Sequence, residues 1–199
     1  MGELVNRGES AIVPEGFYKQ VSSILNAARD KAYTAVNFAM VEAYWEIGKS
    51  IVDEQGGEER AKYGEALLKA LAIKLTKDFG KGFEARELRK MRQFHLAFPI
   101  RDSLRPELSW THYRRLIRIP DPETRTWYMN ECADSRWSTR QLERQINTMF
   151  RERLLASKDK EVVTQEIQKS TPAHRPEDII RDPYVLEFLG FSDDTAFRE

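Results

Sequence analysis

The sequence predicts an all-α protein: a long N-terminal helix followed by a multi-helix, helix-turn-helix-like bundle. Three observations carry that reading. Apolar residues recur at helical spacing from Phe17 to about Glu54, with no proline and no glycine except Gly48 to interrupt them. Helix start signals recur later in the chain, most clearly at Asp121-Pro122 and at Ser138 with Gln141 three residues on. Few segments alternate apolar and polar residues with the period of two that marks a half-buried strand.

The first helix carries Phe17, Val21, Ile24, Leu25, Ala28, Ala32, Val36, Met40, Ala43, Ile47 and Ile51 along its apolar stripe. At 1.5 Å per residue it would reach roughly 55 Å, more than one small domain covers. It is therefore expected to break near Gly48, to pack against several shorter helices, or to offer a coiled-coil-like surface to a partner. Gly56-Gly57 ends it, and Tyr63-Gly64 opens an amphipathic helix over 65–78 with Leu67, Leu68, Leu71, Ile73 and Leu75. After the Gly80-Lys81-Gly82-Phe83 loop, a helix from about Glu84 to Phe98 is closed by Pro99. At 100° per residue, Arg86, Arg89, Lys90 and Gln93 of this helix share about one third of its circumference, and Leu88, Met91, His95 and Phe98 lie opposite. Two helices joined by a short glycine-containing turn, the second one basic, have the outline of a helix-turn-helix.

A short helix then begins at Leu108-Ser109-Trp110-Thr111-His112 and runs to Ile119. Asp121 caps the next helix with Pro122 at its first position, and that helix reaches about Ser135. Ser138 and Gln141 form a capping box, with Trp137 placed to staple onto Leu142. The helix they open is expected to turn Leu142, Ile146, Met149, Phe150 and Leu154 inward. A capped helix over Asp182–Phe191 closes the pattern. The resulting organisation is a flexible N-terminus over 1–16, a helical domain over 17–156, a polar linker over 157–181 and a junction segment over 182–199.

Composition narrows the function classes. Hydrophobic content of 41% suffices for one core, while 32% charged residues leave a solvated exterior. The single cysteine, Cys132, excludes an intrachain disulfide, suiting a reducing compartment. No stretch approaches the roughly 18 apolar residues of a membrane span, and the N-terminus lacks the basic-then-apolar order of a secretory signal. The expectation is a cytoplasmic protein with no membrane partner.

Charge is unevenly placed. The chain sums to zero, yet residues 81–118 hold ten Lys and Arg against four Asp and Glu, a local charge of +6 on structured, aromatic-bearing segments. Such a block is the usual electrostatic footprint of a phosphate-binding surface. The candidate contacts are Arg86, Arg89, Lys90 and Gln93 on one helix, extended by Arg114 and Arg115 on the next; the competing reading is a basic face neutralised by acidic residues of the same chain. Trp110, Tyr113, Trp127, Tyr128 and Trp137 read as core and stapling residues rather than as base-stacking platforms. His95, His112 and His174 have no carboxylate or thiol at ligand spacing, Cys132 reads as a buried structural thiol, and no paired carboxylates or nucleophile–base set stands out, so neither catalytic nor metal-binding residues are expected.

Three runs, 74–99 (KLTKDFGKGFEARELRKMRQFHLAFP), 108–146 (LSWTHYRRLIRIPDPETRTWYMNECADSRWSTRQLERQI) and 182–191 (DPYVLEFLGF), together resemble the YhcG-like family, whose N-terminal half is the domain of unknown function 1016. The resemblance covers roughly 17–191. It implies that this helical half precedes a PD-(D/E)XK nuclease domain, with the Asp-Pro-Tyr-Val-Leu-Glu-Phe-Leu run at the junction. Such a core needs a strand-borne Asp and a following acidic-x-Lys set to hold Mg²⁺, and the nearest spelling here, Lys158-Asp159-Lys160, lies in a helix-end linker. No nuclease residue and no cofactor is therefore carried over to this chain; Mg²⁺ is expected to belong to a catalytic domain outside it. The expectation is a non-enzymatic, DNA-binding targeting domain, dimerising through residues 17–54 and serving a nuclease or other protein partner. The alternative is a protein–protein interaction module that recruits a partner through the long helix without touching nucleic acid.

Overall fold

A computed structural model describes residues 13–55, 61–157 and 184–185. Among them are seven α-helices, a single 3-10 turn and no strand. None of these helices is long and apolar enough to cross a membrane. The chain divides into two units, residues 1–32 and 33–199.

Helix α1, Glu15–Gln55, is uninterrupted. In the first unit it leaves Phe17, Tyr18, Val21, Ile24 and Leu25 exposed. Lys19 closes an i,i+4 ion pair with Glu15 at 3.3 Å. In the second unit the same helix buries Asn37, Met40, Val41, Tyr44, Trp45, Gly48, Ile51 and Gln55. Of the three outcomes open to this helix, the break at Gly48 does not occur and packing against shorter helices does. A Cβ built on Gly48 would stand 2.1 Å from the carbonyl oxygen of Met91, so glycine is what lets a second helix backbone lie against α1.

That second backbone belongs to α3, Ala85–Ala97. It is preceded by α2, Ala61–Phe79, which starts ahead of Gly64 rather than at it. Gly64 is an interior helix residue whose carbonyl accepts from Gln55 Nε2 at 3.3 Å, tying α2 to the end of α1. The α2–α3 turn uses Gly80 and Gly82 at φ of 83° and 98°, a region that costs L-residues a clash and glycine nothing. Helix α2 packs on α3, and α3 on α4, Trp110–Leu116. Beyond lie α5, Pro122–Asp134, α6, Thr139–Asn147, and α7, Phe150–Ala156, packed on one another and on α4.

The core is aromatic where α1, α3 and α4 meet. Trp110 meets Tyr44 and Phe94 at centroid distances of 5.1 and 5.3 Å, and Tyr113 meets Phe94 and Phe98 at 4.8 and 5.4 Å. Trp45 donates its indole N–H to the Phe98 carbonyl at 2.6 Å, anchoring α1 to the end of α3. Phe94, unassigned to the inner face by the sequence pattern, is fully buried. Trp110, Tyr113, Tyr128 and Trp137 are buried, which removes the stacking reading for these four; Trp127 is half-buried against Tyr128 and Phe150.

The expected caps are present. Asp121 accepts from the Thr124 amide at 2.7 Å with Pro122 at the first helical position. Ser138 Oγ accepts from the Gln141 amide at 3.2 Å while Gln141 Oε1 accepts from the Ser138 amide at 2.6 Å. The helix they open is shorter than its apolar pattern. It stops at Asn147, Met149 turns to φ 50° as the N-cap of α7, and its side chain is exposed, not inward. The turn re-aims the chain so that Phe150 packs against Trp127 and Trp137 at 5.7 and 5.8 Å. In the predicted 182–191 helix only Tyr184 and Val185 lie among the described residues. Both are helical, and Val185 is buried in the core.

Candidate nucleic-acid interface

The basic face of α3 forms because the opposite face is committed to the core. Leu88, Met91 and Phe94 are buried, which leaves Arg86, Arg89, Lys90 and Gln93 on the outer side. Their surroundings differ. Arg89 pairs with Glu65 of α2 in a bidentate contact of 2.5 and 3.2 Å. The hydrogen bond from Arg89 holds the Glu65 carboxyl below its ordinary range. Lys90 pairs with Glu87 at 2.6 Å. Gln93 donates to the Ile117 carbonyl at 3.2 Å, where it ties α3 to the end of α4.

The α4 arginines sit on its last turn, where their charge complements the negative end of the helix dipole. Arg115 pairs with Glu143 of α6 at 3.1 Å. Arg114 is mostly buried, lies 3.7 Å from Glu87 and stacks 4.6 Å from the centroid of the Tyr184 ring. Burial lowers its pKa first, and Arg86, Arg118 and Arg115 lower it further against the opposing pull of Glu87. Arg86 of α3, Arg115 of α4 and Arg118 just past the end of α4 thus lie near enough to Arg114 to repel its charge. Arg86 and Arg118, both exposed, have no ion pair with a carboxylate among the described residues.

Sequence spacing put Arg86, Arg89 and Lys90 in one strip. The structure instead gives Arg89 and Lys90 intramolecular partners, and sets Arg86, Arg115 and Arg118 as nearby like charges acting on Arg114. Arg118, which from sequence could extend the strip or simply cap its helix end, lies just past the end of α4 and is exposed.

Two neighbouring side chains are structural. His112 Nδ1 accepts from the Ser109 amide at 3.1 Å, so Nε2 is the nitrogen that donates to the Trp137 carbonyl at 2.9 Å. Arg125 spends its guanidinium on the carbonyls of Ala97, Ile119 and Pro120 at 2.8, 3.0 and 2.9 Å, fastening the end of α3 to the α4–α5 loop. Nothing in the sequence distinguished that arginine from its solvated neighbours. Cys132 is buried and its thiol is pushed up to about 12 by desolvation, which fits a structural role. No group of three or more metal-ligating side chains occurs among the described residues.

Residues 20–153 match the DUF1016 N-terminal domain. The chain belongs to that family. The chain is 36% identical, over 204 aligned positions, to an Escherichia coli (strain K12) protein named "Putative nuclease YhcG". That similarity covers 86% of this chain and 54% of the relative, so the chain spans about half the length of the curated protein it matches. No solved structure matches it.

Proposed function

We propose that this domain binds the phosphate backbone of DNA and self-associates through residues 17–54, acting as the targeting half of a YhcG-like nuclease. The observation that carries the DNA-binding part is the corner of α3 and α4. Arg86 and Arg118 are exposed and act on Arg114 as nearby like charges, and among the described residues Glu87 and Glu143 are the carboxylates that pair with Arg114 and Arg115. Like charges held near one another on a folded framework repel, and an anion bridging them would relieve the repulsion. A duplex presents phosphates at the required density, and guanidinium groups suit them through bidentate hydrogen bonds. Contacts of this kind give affinity and register, not base sequence. The two-helix turn of α2 and α3 would serve as the helix-turn-helix of this reading, with α3 against the backbone. Phosphodiester cleavage and its Mg²⁺ would belong to a separate PD-(D/E)XK nuclease domain.

The interaction-module alternative is favoured by a different observation. Glu65, Glu87 and Glu143 already neutralise Arg89, Lys90 and Arg115, which shrinks the basic strip to its corner.

Fluorescence anisotropy with labelled duplex and single-stranded DNA separates the two. Affinity should fall steeply from about 50 to 200 mM salt, with the log–log slope flattening by about one unit for each phosphate contact removed. The Arg86→Ala/Arg118→Ala variant should flatten it more than Arg89→Ala. No binding at the lowest salt would sink the DNA reading in favour of the interaction module.

A further inference from the structure

The second unit carries an apolar groove of about 980 Å³ between the C-terminal half of α1 and α2. Ile47 and Ile51 form one wall, Leu67, Leu71 and Leu75 the other, and Phe79 closes one end with its ring largely exposed. Glu46, Glu54 and Asp78 stand on its rim. Glu46 is engaged by Arg101 at 3.5 Å, whereas Glu54 and Asp78 form no ion pair with the described residues. A groove of this size, apolar within and acidic at the edge, selects an amphipathic helix with cations flanking its apolar stripe.

The first unit is such a helix. Phe17, Val21, Ile24, Leu25 and Ala28 follow the spacing i, i+4, i+7, i+8, i+11, which confines them to about 100° of the circumference. The four large ones are 38–62% exposed. Arg29 and Lys31 fall on the two edges of that stripe, whereas Glu15 and Asp30 fall behind it. The lengths agree as well: the stripe from Phe17 to Ala28 is ~16 Å long and the α2 wall from Leu67 to Phe79 ~18 Å. We infer that the 17–28 segment of one copy docks in the α1–α2 groove of a second copy, with Arg29 and Lys31 against the Glu54 and Asp78 rim. Exchanged reciprocally, the contact closes into a two-fold dimer, because each copy supplies one stripe and one groove. The inference rests on the self-association part of the proposed function and is independent of the DNA-binding part.

Disulfide trapping between two single variants of the full chain tests it. Ile24→Cys and Leu75→Cys proteins, one of them carrying a size tag, are mixed and oxidised, so that only an intermolecular contact of helix with groove yields the mixed cross-link. The expected result is that mixed species, together with a solution mass twice the 23.2 kDa of one chain. Ile24→Glu should reduce the mass to one chain with unchanged helix content, since Ile24 is exposed. Arg29→Glu/Lys31→Glu should weaken the dimer, and Glu54→Lys/Asp78→Lys on the partner should restore it. A symmetric Ile24→Cys cross-link without the mixed one would overturn the inference by pairing helix with helix. A monomer at tens of micromolar would overturn it too, and steep salt-dependent DNA binding by that monomer would leave the DNA-binding part standing.

Discussion

The two halves of α1 obey the same rule and meet different fates. From Phe17 to Ala28 and from Asn37 to Ile51 the stripe advances by threes and fours, yet Phe17 and Ile24 are exposed while Met40, Val41, Tyr44 and Trp45 are buried. What separates the halves is detail within the stripe. The buried half mixes a glycine, an indole with a donor and large aliphatics, sized to fit particular neighbours; the exposed half offers generic apolar bulk. Periodicity announces that a face wants covering, and the variety of residue sizes on it shows whether the same chain does the covering.

The two glycines of α1 give the sharpest way to break this contrast. Gly48→Ala drives a methyl group into the Met91 carbonyl 2.1 Å away, a rigid backbone atom that cannot step aside. The expected cost is about 3 kcal/mol, read as a fall of roughly 6–12 °C in the thermal midpoint of the circular dichroism signal for a domain of this size. Gly16→Ala, where nothing lies within 4 Å, should leave the midpoint unchanged or raise it slightly through helix propensity. Equal losses at both positions would show that the first half of the helix is packed after all.

A smaller effect of the same kind separates Trp45 from Phe17. Trp45→Phe keeps the aromatic body but removes the donor to the Phe98 carbonyl, which costs about 1–3 kcal/mol when that acceptor is left buried and unpaired. Phe17→Ser should change the unfolding free energy, read from urea titration, by no more than about 0.5 kcal/mol in protein dilute enough to be monomeric. A Phe17→Ser loss as large as that of Trp45→Phe would contradict the division.

Legibility in the sequence followed the range of the interaction. Asp121-Pro122 and Ser138 with Gln141 announced α5 and α6 because capping is settled within three residues. The turn at Met149 was hidden, since a methionine at φ 50° carries no local mark and is imposed by where Phe150 must pack. The candidate interface was half legible for the same reason. The net charge of 81–118 is a sum over residues, while Arg89–Glu65 and Arg115–Glu143 join residues from separate helices, so the sum hid which cations were already engaged. Arg125 was invisible because its three acceptors are backbone carbonyls, which every residue possesses.

Cys132 turns the contrast into a rate. Its thiol is buried and pushed from an ordinary 9.0 up to about 12, so at pH 8 roughly one molecule in ten thousand carries the reactive thiolate. The native protein should label far more slowly than the urea-unfolded chain, with Gly48→Ala accelerating labelling through more frequent opening and Gly16→Ala leaving it unchanged. The same shift fixes an alkaline limit. Above about pH 9 the unfolded chain gives up its thiol proton while the folded one keeps it, so the unfolded state binds fewer protons and stability falls as pH rises toward 12. Tyr113, raised chiefly by burial, acts in the same direction from about pH 10. Cys132→Ala would remove the thiol's share of that alkaline decline and leave the tyrosine share. An unchanged decline in that variant would place the titration at the buried tyrosines, Tyr113 and Tyr128, whose pKa values burial also raises.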